Sequence, residues 1–139
     1  MRLLLFLFMV IYSHTQAYAF HAGVSCDLSV LPFSSSQETE IYSIELKPTE
    51  EGQFFGTIQK IGNGDLVWLL LSRRPSPLSG KHNLAISREI SEGDTLRNIA
   101  SGSFEIDEGR YHVTGDDHER GHTLILVCGT GKEDLKDDN

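Results

Sequence analysis

The stretch DDHERGH, residues 116 to 122, gathers two histidines, three carboxylates and an arginine, with His112 just upstream in YHVTG. Those types can hold a divalent metal or move protons. A metal reading uses His118, His122 and the carboxylate of Asp116, with His112 as a third imidazole. Spacing tells against it: on a strand, residues i and i+4 share a face but stand roughly 13 Å apart, too far for one ion, so the loop would have to curl. The plainer reading is the polar end of a hairpin between RYHVT and HTLILVC. There Gly115, Asp116, Asp117 and Gly121 supply turn chemistry, because Gly and Asp tolerate left-handed backbone.

Other catalytic signatures are missing from the sequence. It contains no G-x-S-x-G, H-E-x-x-H, P-loop or dinucleotide fingerprint, so neither a catalytic residue nor a cofactor is expected. Carboxylates such as Glu105, Asp107 and Glu108 flank turns, where solvated side chains belong.

The elements that must position DDHERGH read as strands. The segments 26–31, 40–46 and 52–61 carry β-type patterning, and the third ends at the turn signal Gly62-Asn63-Gly64-Asp65. LVWLLL (66–71) is continuously apolar, as expected of a strand buried on both faces, with Trp68 in the core. After PSPLSG, whose prolines do not fit a ladder, come 82–87, 96–106, 110–114 and 122–128. His82, Leu84 and Ile86 share one side of their strand. No segment sustains a helical stripe. Seven to nine short strands predict an all-β fold, an antiparallel immunoglobulin-like β-sandwich with a small β-barrel as the alternative.

Three further features set the compartment and partner class. The start, MRLLLFLFMVIYSHTQAYAF, has a basic residue, an apolar run and an A-x-A ending, predicting a signal peptide over 1–19. Its apolar run is too short for roughly 30 Å of hydrocarbon, so no membrane insertion is expected after cleavage. That leaves one β domain over 20–129 and an acidic tail, 130–139, expected to be disordered, in a secreted or periplasmic protein. Cys26 and Cys128 are expected to pair as a structural disulfide between the first and last strands in that oxidising setting. The net charge of −8 argues against nucleic acid as a partner and leaves another exported protein as the expected one.

Phe54 and Phe55 are adjacent, so in a regular strand they point to opposite faces and only one enters the core. The other is the candidate partner-binding residue. The passage PLSGKHNLAISREISEGDTLRNIASGSFEIDEG carries Ser79-Gly80 before a strand ending at Ile86, then Gly102-Ser103-Phe104. It resembles the CsgH family, small periplasmic proteins of curli-producing bacteria. That resemblance implies an immunoglobulin-like sandwich that restrains an amyloid subunit from early polymerisation, and it transfers no functional residue. The expectation is therefore a non-enzymatic binding module, an inhibitor or chaperone of another exported protein. The alternative is a small secreted metal-binding or hydrolytic domain using the histidine and carboxylate cluster.

Overall fold

A computed structural model of the chain describes residues 23–50, 52–91, 95–105 and 110–129. The expected signal peptide and acidic tail lie outside them. All regular structure in these residues is strand: β1 (Val24–Pro32), β2 (Glu40–Pro48), β3 (Phe54–Lys60), β4 (Leu66–Ser72), β5 (His82–Ser91), β6 (Thr95–Phe104), β7 (Arg110–Asp117) and β8 (His122–Gly129). They form one antiparallel sheet in the order β6-β5-β4-β3-β2-β1-β8-β7. This is a meander whose last hairpin returns to β1, and its two outermost strands, β6 and β7, lie against each other. The sheet is thus nearly closed into a barrel, the alternative foreseen from sequence, rather than the two facing sheets of an immunoglobulin-like sandwich.

Alternation fills the barrel. The central strands send every second side chain inward: Val24, Cys26, Leu28 and Val30 from β1, Val67, Leu69 and Leu71 from β4, Leu124, Leu126 and Cys128 from β8. An eight-strand barrel is just wide enough for such side chains to meet at its axis. The apolar run of β4 therefore does not mark burial on both faces. Leu66, Trp68 and Leu70 point outward and are only half-buried. Trp68 is corrected from core to outer face, where its indole N–H reaches the Glu89 carboxylate at 3.2 Å.

The disulfide joins Cys26 to Cys128 across neighbouring strands, whose Cα atoms stand 4.1 Å apart in the β1–β8 register. Its sequence separation of 102 ties the first described strand to the last. Two other junctions are weaker. β2 and β3 pair only at Lys47↔Gly56 and Pro48↔Phe55, then diverge. Glu40 bridges the widening gap by accepting from the Gly62 N–H and the Tyr42 hydroxyl.

β6 and β7 share no ladder at all. A bulge in β6, where Ile86↔Ala100 is followed by Ser87↔Asn98, leaves Ile99 without a partner on β5. The Ile99 carbonyl instead lies against Gly115 of β7, where any Cβ would overlap it. Gly115 is thus a strand residue required by close approach, not the turn residue its neighbours suggested. Further along the seam Val113 sits over Gly102, and the Phe104 and Tyr111 rings stack with centroids 3.6 Å apart.

Gly115→Ala is expected to destabilise the protein by about 1–3 kcal/mol, because backbone cannot move aside as a flexible side chain does. Gly129→Ala, with nothing near its Cβ, is the control and should stay within about 0.5 kcal/mol. Equal midpoints of chemical denaturation for the two variants would contradict the seam contact.

Candidate functional site

DDHERGH is a hairpin end. β7 runs through Asp116 and Asp117, and the chain turns over His118 to Gly121 before Asp117 pairs with His122. Gly121 takes a φ of +66°, and the N–H groups of Arg120 and Gly121 both return to the Asp117 carbonyl. Strand alternation then separates the proposed metal ligands. His112 and Asp116 point outward, and Asp116 accepts from the Thr123 hydroxyl at 2.6 Å. His118 is exposed on the turn with its ring against Phe33. His122 points inward, buried. His112 and His122 are on opposite faces and five strand positions apart in register, about 17 Å along the strand. The metal site is corrected on these grounds: these residues do not converge, and no group of three or more candidate ligands forms among the described residues.

What the hairpin does bring together is a charged barrel end. Arg88, inward on β5 two residues beyond Ile86, is 1% exposed and pairs with Asp117, 2% exposed. Its Nε donates to Asp117 Oδ2 at 2.5 Å and its Nη2 to Oδ1 at 3.2 Å. Nη2 also donates to Glu119 at 2.7 Å, and Arg97 of β6 pairs with the same carboxylate. These contacts cross the β6–β7 seam where no ladder does. Arg120 closes the rim on Asp65 at 2.8 Å.

The electrostatics follow from burial and pairing. Burial pushes the Asp117 carboxyl up, and the Arg88 guanidinium more than offsets it, holding the group below its ordinary value. Arg88, held mainly by Asp117, stays charged throughout. Glu119 is lowered by Arg88 and then Arg97. His122 is lowered by burial with help from Arg88, against the pull of Asp117, Asp65 and Glu40, and its Nε2 has no hydrogen-bond partner. The cluster is therefore neutralised internally, with Arg88 and Asp117 buried beneath the exposed Arg97 and Glu119, which makes it a structural clamp. Sequence reasoning missed Arg88, although extending the His82–Leu84–Ile86 face by two residues places it inward; nothing in the sequence marked Asp117 as its partner.

At the other end, His82 Nδ1 donates to the Ser72 carbonyl at 2.9 Å and its ring stacks on Phe104. Burial pushes the Tyr111 hydroxyl there up to about 12.

The outside carries the remaining candidate. Phe55 is fully buried, whereas Phe54 is 38% exposed on the outer face. Ile58, two strand steps along on that face, is 48% exposed and pairs across with Trp68. Leu70, next to Trp68 on the same face, lies over Gly56, whose missing Cβ lets it approach. The result is an apolar patch on β3 and β4 with Phe54 and Ile58 at its surface.

No protein-family model matches this chain, and neither a curated protein nor a solved structure matches it.

Two outcomes follow for the clamp. Asp117→Asn removes the carboxylate and leaves Arg88 buried, so it should cost about 3 kcal/mol, while Thr123→Val on the outside should cost under about 1 kcal/mol. The pH dependence has a definite sign. The His122 pKa is lower folded than unfolded, so the unfolded chain takes up a proton first as pH falls below about 6.5, and stability drops there. Asp117, also lowered, holds its share of stability above its unfolded value near 3.9 and loses it as pH falls through the folded value. Denaturation midpoints measured from pH 8 to pH 5 should decline in the wild type and stay flatter in His122→Gln; parallel curves would reject the His122 assignment.

Proposed function

We propose that this chain is an exported, non-enzymatic protein-binding module that engages its partner along the outer face of β3 and β4. One observation carries the reading: Phe54 and Ile58 stand exposed on the same face of β3, contiguous with Trp68 and Leu70, while Phe55 between them is buried in the core. Exposed apolar surface of this kind has a cost in water that a partner removes, and aromatic residues near the centre of a patch are the usual anchors of protein interfaces. The sharpest form of the reading is an inhibitor or chaperone of another secreted protein, the role that the resemblance of the β5–β6 passage to CsgH also implies.

Phe54→Ser and Ile58→Ser should each weaken capture of a cross-linkable partner from the native secretome by roughly tenfold, with melting temperatures close to wild type. Phe55→Ser, which hollows the core, should instead cost about 3–5 kcal/mol. If folded Phe54→Ser and Ile58→Ser proteins recover the same partner in wild-type yield, the face is not the binding surface.

A further inference from the structure

The fold segregates the chain's cations. Of the nine Lys and Arg among the described residues, Arg88, Arg97 and Arg120 are held in ion pairs at the charged barrel end. Four others lie around the apolar face, whereas Arg73 turns to the inner side, its guanidinium 5.7 Å over the buried Phe55 ring. Lys47 pairs across with Gly56, between Phe54 and Ile58 along β3, and Lys60 follows Ile58 on the same face. Arg74 lies two residues beyond Ser72, the cross-strand partner of Phe54, and Lys81 returns the chain into β5. Among the described residues, Lys47, Lys60, Arg74 and Lys81 are exposed and enter no ion pair. Among the described residues, exposed Glu45 and Glu50 lie on β2 and in the turn after it, and Glu89 is bonded to the Trp68 indole. On a chain of net charge −8, the fold gathers four exposed cations around this one face.

The β4–β5 loop adds an anchor beside it. Leu78 is 98% exposed at the loop tip, between Arg74 and Lys81. The loop is set in shape by Pro75 and Pro77, by Ser76 N–H to the Lys81 carbonyl at 2.8 Å, and by Gly80 N–H to the Ser76 carbonyl at 2.8 Å. Gly80 takes a φ of +67°, which closes the turn. A bulky apolar side chain held in water on a pre-organised loop loses little entropy when it is buried by a partner.

We propose that the β3 outer face and the β4–β5 loop together dock an acidic segment of another exported protein. Its apolar side chains cover Phe54, Ile58 and Leu78, and its carboxylates lie over Lys47, Lys60, Arg74 and Lys81. The inference rests on reading the outer face as the partner surface and adds the partner's chemistry. Charge complementarity selects the occupant: two copies meeting through this same face would bring their cations together, and a phosphodiester backbone offers no apolar side chains between its charges.

The test pans a random linear peptide library against the secreted protein at about 50 mM and about 300 mM salt, where screening of exposed charges differs strongly. The peptides expected to be enriched carry Asp or Glu around Leu, Phe or Trp and bind at least roughly tenfold more weakly at the higher salt. The triple charge reversal Lys47→Glu, Lys60→Glu, Arg74→Glu should abolish their binding, and Leu78→Ser should weaken it about tenfold, in proteins whose melting temperatures match wild type. Peptides that lose binding on Phe54→Ser yet ignore the charge reversal would overturn this inference and leave the outer-face reading intact. Peptides indifferent to all the variants, or a library that yields no binder, would overturn both. Salt-sensitive retention on phosphatidylserine vesicles that survives Phe54→Ser and Leu78→Ser would overturn the acidic-segment proposal in favour of a lipid surface.

Discussion

The pairing of Arg88 with Asp117 is the contact that the closed shape depends on. Seven of the eight strand junctions are joined by ladders, and the eighth, between β6 and β7, has none. An open edge leaves main-chain donors and acceptors unpaired, so something else must hold it. Here aromatic stacking serves one end, glycine-permitted close approach serves the middle, and the Arg88, Arg97, Asp117 and Glu119 ion pairs serve the other end. The ionic part is the least forgiving. Two charges buried together are tolerable, but either one alone in the barrel end keeps its desolvation cost without its partner.

Closure also explains where chemistry is left available. The barrel interior is filled chiefly by inward side chains of β1, β4, β5, β7 and β8, and its polar end is neutralised within itself. The disulfide pins β1 to β8 on the side away from β4, so the strands most distant in sequence are held where the meander returns on itself. With the inside used for stability, the surface left for contact with other molecules is the outer face. There Phe54 and Ile58 of β3 are exposed beside the half-buried Trp68 and Leu70 of β4, and Leu78 of the β4–β5 loop is exposed as well.

Much of this was legible from residue order. Alternation and turn residues located the strands within a few positions, and Gly62-Asn63-Gly64-Asp65 is a turn with Gly64 at a φ of +92°. The split of Phe54 and Phe55 between faces follows from the two-residue period alone. The misread positions share one cause, that local pattern does not report what lies across a seam. Trp68 sits in the most apolar run yet faces outward, because a barrel buries only one side of each strand. Gly115 resembles a turn glycine beside two aspartates, but its role comes from Ile99, sixteen residues earlier, on a strand with which it shares no ladder. The histidines of DDHERGH are close in sequence and divided by the sheet.

Residue types and their period determined the all-β class, the strand positions and the two cysteines available for pairing, because those depend on each strand's own preference for one buried face. Only the tertiary structure decided the closure into a near-barrel, the partnership of Arg88 with Asp117, and the segregation of cations around Phe54 and Ile58. Those depend on which strands end up adjacent. A net charge is a sum over the chain, whereas a local potential is a sum over neighbours in space, and the fold alone assigns the neighbours.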